Sequence, residues 1–236
     1  MHFAILAAGE GSRLREEGIL QPKPLIPLGD LLLVERLIML AKINGFSSIS
    51  VVTNELYADL KEWFMQLELD IPFNLVLKTT PSSMHSLYAL RNHLGDAPFC
   101  LTTVDSIFDE KEFAQYIRFV RNNPQLDGIM AVTRFVEDEK PLWISTNSDL
   151  TITGFHSEFG NQNFVSGGIY CLQPSIFPVL NSAIANGMHR MRNFQQELVE
   201  NGFKLKAFEF SKIIDIDHAQ DLIEARIFLK QRRNLY

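Results

Sequence analysis

Apolar positions along the first half of the chain follow two different periods in turn. Short apolar runs suited to buried strands cover residues 2–7, 50–53, 73–78 and 99–104. Segments with a helical spacing of apolar residues lie between and after them, at residues 30–44, 56–67, 84–93 and 110–121. Strands that alternate with helices are typical of a mostly parallel sheet covered on both faces.

Residues with capping or turn preferences place some of the helix ends. Asp30 is predicted to cap the helix over residues 30–44, and Gly45 is placed to end it. Ser82 and Ser83 are the capping candidates for the helix that begins at Met84.

The pattern changes after about residue 127, where strands follow one another with little helix between them. They are predicted at residues 128–135, 142–146, 150–155 and 164–172, with hairpin-turn chemistry at residues 146–149. A helix over residues 191–201, strands at 205–210 and 213–216, and a closing helix over 218–233 follow. The sequence therefore predicts an α/β protein with an antiparallel subregion, in a single domain over residues 1–236.

The composition excludes several classes of protein. The chain has 236 residues, of which 46% are apolar and 21% charged, which is too apolar for a disordered protein. Its 22 basic and 28 acidic residues give a net charge of −6. A protein that binds a nucleic-acid backbone needs a surplus of Lys and Arg, so no nucleic-acid partner is expected.

Several local features point to the cytoplasm and away from a membrane. Cys100 and Cys171 each lie inside an apolar run, as reduced core cysteines do. The opening MHFAILAAG lacks the basic region and the length of a signal peptide, and we interpret it as a buried strand. No apolar run approaches the ~20 residues of a membrane span. We therefore expect a cytoplasmic protein with no membrane partner.

The strongest chemical signal is a small-residue segment followed by a lysine between two prolines. Residues 6–14 read LAAGEGSRL and residues 22–25 read PKPL. Small residues after a buried strand let the backbone approach a ligand, and successive N–H groups there form an anion-binding concavity. Arg13 and Lys23 would add the fixed positive charge that a polyphosphate needs. Pro22 and Pro24 are expected to hold Lys23 in an extended segment.

These two segments resemble the signature of a known family, the sugar-phosphate nucleotidyltransferases, which include NDP-sugar pyrophosphorylases and MobA-like NTP transferases. The family reads LAAGxGxRL followed by PKPL at the same separation. The resemblance implies a Rossmann-like fold of the nucleotide-diphospho-sugar transferase type, with a mixed, mostly parallel sheet. It also implies a nucleotide-binding half over residues 1–126 and an acceptor-binding half over residues 127–236. Arg13 and Lys23 would be the catalytic residues.

The resemblance also implies which residues hold the nucleotide. The segment SSMHSL at residues 82–87 lies where the family reads the base before a helix. The implied nucleotide-binding residues are Leu6, Ala7, Ala8, Gly9, Gly11, Ser12, Ser82, Ser83, Met84 and Ser86.

A metal site is implied at three aspartates. Asp105 follows a buried strand, at the position where α/β sheets bind ligands, and matches the metal-binding Asp of the family. Asp215 and Asp217 resemble the closing motif that supplies the second ligand. We expect these two to point to opposite faces of an extended segment, so that only one reaches the metal. The implied cofactor is Mg²⁺.

The acceptor side resembles the family less closely. Ser166 and Gly168 lie in the segment VSGGIY, which is similar to the substrate-side strand of the family, and Glu158 lies where many members have Glu-Lys-Pro. Here Phe159 and Gly160 follow Glu158, so the sugar-phosphate-binding lysine is missing. Lys78, Arg190 and Arg192 are candidate replacements.

The predicted function is Mg²⁺-dependent transfer of a nucleotidyl group from an NTP to a sugar 1-phosphate or similar phosphomonoester. The partners are then an NTP and a phosphorylated small molecule, with a homodimer as a further possibility. A cytidylyltransferase for phosphocholine or a phosphonate shares the same motifs, and the missing lysine favours it. A glycosyltransferase would need a DxD motif, which Asp105-Ser106-Ile107 does not supply. A non-catalytic nucleotide-sensing subunit is the alternative outside enzymes.

Overall fold

The computed structural model describes residues 1–136 and 140–234. The strands in chain order are β1 (His2–Ala7), β2 (Pro27–Leu28), β3 (Leu31–Leu32), β4 (Ser48–Thr53), β5 (Phe73–Leu77), β6 (Phe99–Thr103), β7 (Ser106–Phe108), β8 (Gly128–Thr133), β9 (Trp143–Thr146), β10 (Ile152–His156), β11 (Phe164–Leu172), β12 (Leu205–Phe210) and β13 (Ile213–Asp215). The helices are α1 (Ser12–Glu16), α2 (Leu33–Ile43), α3 (Ala58–Met65), α4 (Ser83–Leu90), α5 (Glu110–Asn122), α6 (Phe177–Ala185), α7 (Met191–Glu200) and α8 (Ala219–Asn234).

One mixed sheet runs through the described residues. Its order is β10-β9-β11-β6-β1-β4-β5, and β8 pairs with β11 and with β12. Strands β6, β1, β4 and β5 are parallel, whereas β11 runs antiparallel to β6 and to β8 and β9. This arrangement confirms the predicted fold class, a mostly parallel sheet with an antiparallel subregion.

The apolar core lies on both faces of this sheet. Along β1, Phe3 and Ile5 face one layer of the core and Ala4 and Leu6 face the other, because successive side chains of a strand point to opposite faces. Helices α2, α5 and α8 pack in the first layer, and α4, α6 and α7 pack in the second. Because both faces are covered, β1 is continuously apolar from Phe3 to Ala7 rather than alternating.

The direction of the strands decides where loops from both halves of the chain meet. The carboxyl ends of the parallel strands β1, β4, β5 and β6 share one edge of the sheet. Strand β11 runs the opposite way, so its amino-terminal part, near Ser166, lies at that same edge. Asp105 follows β6 there, and the short β7–β13 pair brings Asp215 opposite Ser106.

Most predicted elements agree with the structure to within a few residues, but two differences are informative. Helix α6 was not predicted, because its Pro178 lies in the first turn, where proline is tolerated, and its apolar residues do not form a single stripe. Asp30 is not the cap of α2. The helix begins at Leu33, and the Glu35 carboxylate accepts the Leu32 backbone N–H at 2.8 Å instead.

Two other local predictions are confirmed, one for Gly45 and one for the two buried cysteines. Gly45 follows the end of α2 with φ +66°, the left-handed conformation that favours glycine. Cys100 and Cys171 are buried, unbridged and opposite each other on β6 and β11. Among the described helices, none combines the length and apolar character that crossing a bilayer requires.

Candidate active site

A cleft of about 800 Å³ opens at the carboxyl edge of the sheet. Its lining comes from the loop after β1, the segment between β5 and α4, and the end of β6, joined by Lys23 and Asp217. Of the predicted nucleotide-binding residues, the lining includes Leu6, Ala8, Gly9, Gly11, Ser12, Ser82, Ser83 and Ser86. The two remaining ones, Ala7 and Met84, are buried in the core beside the cleft.

The loop after β1 is shaped by one glycine. Gly11 has φ +62°, and a Cβ built there would lie 3.7 Å from the Cβ of Lys23. The left-handed backbone, rather than lack of space, is therefore what favours glycine at this position. A Cβ at Gly9 would meet nothing within 4 Å, so the backbone there faces open space in the cleft.

Lys23 lies in a turn rather than in the extended segment that was predicted. Pro22 is extended, but Lys23–Leu25 form a single turn of 3-10 helix with Pro24 inside it, which the fixed φ of proline permits. The side chain is only 9% exposed. Its Nζ donates to Asp105 Oδ2 at 2.5 Å and to Asp217 Oδ1 at 3.2 Å.

The charges around Lys23 compensate one another. Burial would lower the pKa of Lys23, but the Asp105 and Asp217 carboxylates outweigh it and raise that pKa. Burial would raise the pKa of Asp105, and the Lys23 ammonium reverses this and lowers it. Asp217 also accepts a hydrogen bond from Arg13 Nη1 at 2.9 Å. The two predicted catalytic cations therefore meet at one carboxylate, which is 44% exposed to the cleft.

Asp215 differs from the other two aspartates. It lies at the end of β13, and its Oδ1 accepts a hydrogen bond from Ser106 Oγ at 2.8 Å. Burial is the main reason why the pKa of Asp215 is raised to about 7, and the nearby negative charge of Asp105 is the second reason. Asp215 and Asp217 line the same wall of the cleft. The expectation that they point to opposite faces was wrong, because residues two apart in an extended segment share a face.

The donor set fits a Mg²⁺ ion shared with a substrate. Within the described residues, no group of three or more His, Cys, Asp or Glu side chains is placed to hold a metal by itself. Mg²⁺ is usually held by one or two carboxylates and completed by substrate phosphates and water. Asp105 and Asp217 supply two such oxygens, which already converge on one cation, the Lys23 ammonium.

The segment before α4 and the first turn of that helix also line the cleft. Ser82 caps α4 through its Oγ, as predicted, and that atom also lies 2.9 Å from His85 Nδ1. Ser86 Oγ pairs with Thr80 Oγ1 at 2.6 Å. Sequence reasoning missed three further lining residues, Thr79, Thr80 and Pro81. Their position directly after the strand β5, at the same edge as Asp105, was the signal that could have identified them.

The cleft continues past Asp105 into a second region of about 440 Å³. We call its lining the acceptor wall, after the acceptor-binding role that the sequence predicts for Ser166 and Gly168. This region is lined by Ser166, Gly168, Tyr170, Arg190, Arg192 and Gln195, together with the three aspartates and neighbouring residues. Gly168 has φ +71°, and a Cβ there would lie 2.8 Å from Ser106 Oγ, so this glycine lets β11 approach Ser106. The predicted residues Ser166 and Gly168 are therefore brought to the cleft.

Two of the three candidate replacements for the missing lysine reach the acceptor wall. Arg190 and Arg192 line it, at the start of α7. Lys78 and the predicted Glu158 are exposed, and neither is among the described residues that line the two regions of the cleft. Sequence reasoning missed Gln195. A glutamine at a buried position of α7, beside Phe194 and Leu198, is unusual and could have marked it as a candidate.

Comparisons with known proteins find a family model and a curated relative that match most of this chain. A family model described as the MobA-like NTP transferase domain matches residues 3–198. The bifunctional protein GlmU of Methanococcus maripaludis (strain C5) is 26% identical over 234 residues, which cover 95% of this chain and 53% of that protein. The chain thus spans about half the length of this curated relative.

Solved structures share the fold at low sequence identity. The inositol-1-phosphate CTP transferase from T. maritima has a TM-score of 0.80 at 19% identity, over 98% of this chain and 96% of that one. A UDP-glucose pyrophosphorylase complexed with UDP-glucose has a TM-score of 0.81 at 18% identity, over 98% of both chains.

Proposed function

Because the chain belongs to the family of MobA-like NTP transferase domains, we propose that it joins an NTP to a hexose 1-phosphate. The products are an NDP-sugar and pyrophosphate. The observation that carries the proposal is the buried Lys23 ammonium, held between Asp105 and Asp217 at the carboxyl edge of the sheet. A cation and carboxylates at the floor of a cleft of about 800 Å³ suit a polyphosphate and its metal ion.

The chemical step is one in-line displacement. An oxygen of the acceptor phosphate attacks the α-phosphorus of the NTP, the bond from that phosphorus to the bridging oxygen breaks, and pyrophosphate leaves with the electron pair. A phosphate monoester is already largely ionised near neutral pH, so the attacking oxygen needs no strong general base. The protein then acts by positioning the two phosphates and by neutralising charge.

Different residues of the cleft neutralise charge, bind the leaving phosphates and recognise the base. Lys23 neutralises the α-phosphate and the incoming acceptor phosphate, and its two carboxylate partners keep it protonated. Arg13 and the backbone amides of residues 9–11 hold the phosphates that leave as pyrophosphate. The segment at residues 79–86 reads the base through hydroxyl and backbone groups.

Mg²⁺ is the proposed cofactor. Asp105 and Asp217 would hold it, and bound Mg²⁺ supplies positive charge at the α-phosphate. Asp215 is the weaker candidate ligand, because its Oδ1 is already bonded to Ser106 and its raised pKa keeps it partly protonated near neutral pH. Lys23 would exchange its bonds to the carboxylates for bonds to phosphate when the substrate binds.

Pyrophosphate release tests the proposal. The purified protein is incubated with Mg²⁺, each of UTP, CTP, GTP and dTTP, and a panel of sugar 1-phosphates, inositol 1-phosphate, phosphocholine and a phosphonate. We expect release that requires one NTP and one sugar 1-phosphate together. The matched controls omit the acceptor or replace Mg²⁺ by EDTA.

Two other results would replace the proposal by a different function. Release only with CTP and phosphocholine or the phosphonate would keep the transferase reaction and change the acceptor. NTP binding seen as a rise in Tm, without release from any pair, would indicate a nucleotide-sensing subunit.

A further inference from the structure

The acceptor wall contains a buried amide whose polar atoms are not satisfied. Gln195 on α7 is 1% exposed, and no described polar atom lies in good hydrogen-bonding geometry to its Oε1 or its Nε2. A weak interaction with the neighbouring Tyr170 hydroxyl leaves most of the hydrogen-bonding capacity of the amide unused, because one hydroxyl cannot satisfy both the C=O and the NH2 group. The Tyr170 hydroxyl is itself 3.2 Å from Ser166 Oγ. All three side chains line the same wall of the cleft.

An unsatisfied buried amide is unusual, because a buried polar group without a partner destabilises the folded state. The position itself favours an apolar residue, since Phe194 and Leu198 beside it on α7 are fully buried. Gln195 thus lowers the stability of the free protein, and it lies on the wall of the cleft. Both facts are explained if a bound ligand supplies the hydrogen-bond partners that the amide lacks.

The chemistry of the wall limits the kind of ligand that fits. The Gln195 amide offers a carbonyl oxygen as acceptor and an NH2 group with two N–H donors, and Tyr170 and Ser166 each offer a hydroxyl that can donate or accept. These neutral groups are complementary to hydroxyl groups. Arg190 and Arg192 add positive charge to a wall that the three aspartates also line. A trimethylammonium group has no hydrogen-bond donor and is bound by aromatic cages, whereas Tyr170 is the one aromatic side chain among the described lining residues of this wall.

We propose that Gln195 determines acceptor specificity by hydrogen bonding to hydroxyl groups of a polyhydroxylated phosphate ester. The inference rests on the proposed transferase function and narrows its acceptor to sugar phosphates and cyclic polyol phosphates, at the expense of phosphocholine. Oε1 accepts from one hydroxyl, and Nε2 donates to the same hydroxyl or to its neighbour. The acceptor thus completes the hydrogen bonds that the free protein leaves open.

Replacement of the amide by an apolar side chain of similar length tests this assignment. In Gln195→Met, we expect KM for the preferred polyol phosphate to rise about 10-fold or more, while KM for the NTP is unchanged. The discrimination between that acceptor and its monodeoxy analogues should shrink by a similar factor. Because the unsatisfied amide is gone, Tm of the free protein should rise by about 2–4 °C.

Two further variants separate this effect from general damage. Gln125→Met makes the same substitution at an exposed glutamine in the loop after α5, and it should change neither Tm nor either KM. Gln195→Asn keeps the amide but draws it back by one methylene group. It should raise the acceptor KM without the gain in Tm, because the amide is displaced and still buried without a partner.

The outcomes decide between a specificity role and a packing role. Unchanged discrimination between polyol phosphate and monodeoxy analogue in Gln195→Met would overturn the proposal. Turnover of phosphocholine in preference to every polyol phosphate would also overturn it, while the transferase reaction stands.

If no pair releases pyrophosphate, the proposed function fails, and binding still tests Gln195. A Tm increase with millimolar glucose 1-phosphate or inositol 1-phosphate that is lost in Gln195→Met supports the proposal. An equal increase in both proteins, or none in the wild type, overturns it.

Discussion

At the scale of single residues, Lys23 is the side chain on which the electrostatics of the cleft depend. It is 9% exposed, and its ammonium lies between two carboxylates that would otherwise repel each other in a poorly solvated site. The same ammonium holds the pKa of Asp105 below its usual range. Lys23 therefore keeps the cleft charged and assembled before any substrate arrives.

Removal of either partner of this pair should abolish most of the activity. We expect Lys23→Ala and Asp105→Ala each to lower turnover about 10²-fold or more, because each loses a group that the proposed mechanism places at the transferring phosphate. The proteins should remain folded by circular dichroism. The Lys23 variant should have a lower Tm, since a largely buried carboxylate loses its counter-charge.

An exposed lysine provides the matched control for the Lys23 variant. Lys42 pairs with Asp70 on the surface at 2.6 Å, and Lys42→Ala should leave turnover and Tm nearly unchanged. Near-normal turnover in Lys23→Ala or Asp105→Ala would show that the role assigned to that residue is wrong.

At the scale of secondary-structure elements, two adjacent glycines let β11 approach the β7–β13 pair. A Cβ at Gly167 would lie 2.1 Å from Ile213 Cδ1, and one at Gly168 would lie 2.8 Å from Ser106 Oγ. Ser106 in turn bonds Asp215 and Thr103. The absence of side chains on these two residues of β11 thus permits the close packing that carries Asp215 and Asp217 to the cleft.

This packing predicts a specific stability difference between two glycine variants. Gly168→Ala should be destabilised by about 1–2 kcal/mol for its left-handed backbone, and by more because Ser106 Oγ must move. Gly202 has a similar φ of +81°, but a Cβ built there meets nothing within 4 Å. Gly202→Ala should therefore lose only the part of the unfolding free energy that comes from the left-handed backbone. Urea unfolding of both variants measures the difference, and equal losses would contradict the close approach.

At the scale of the whole molecule, the protonation of Asp215 links the cleft to global stability. Its pKa is raised to about 7, whereas an aspartate in an unfolded chain titrates near 3.9. Between these values the folded protein holds a proton that the unfolded chain has released. The free energy of unfolding should therefore fall as pH rises from about 4 to about 7. The pKa of Asp105 is lowered, so this residue stabilises the folded protein throughout the range from about pH 4 to about pH 7. Its stabilising contribution is lost only at lower pH, where Asp105 becomes protonated.

Asp215→Asn should remove this pH dependence. We expect its Tm to exceed that of the wild type by more at about pH 8 than at about pH 5, because the neutral amide avoids the cost of burying a charge and the repulsion from Asp105. The scans are made with EDTA, so that no metal ion neutralises the carboxylates. Asp59→Asn, at an exposed position of α3, is the control, and its Tm should differ from that of the wild type by the same amount at both pH values. A constant Tm difference for Asp215→Asn would contradict the raised pKa.

The sequence by itself determined the fold class, the family and two of the segments that line the cleft, the loop after β1 and the segment before α4. Buried strands and amphipathic helices differ in apolar period, so their alternation can be read locally. The segments at residues 6–14 and 22–25 are informative because phosphate binding needs small residues and fixed cations at short range, which few sequences satisfy. Ser82 as a cap and Gly45 as a helix end follow from equally local rules.

Only the tertiary structure decided how residues from the second half of the chain come to line the cleft. Periodicity tells which face of an element is buried but not which neighbour covers it, so nothing local places β11 beside β6. Lys23 is separated from Asp105 by 82 residues of sequence and from Asp217 by 194, yet it bonds to both. These contacts follow from the order and direction of the strands. The unsatisfied amide of Gln195 became visible only when α7 was packed against the cleft, because hydrogen-bond satisfaction depends on all the groups that surround a side chain.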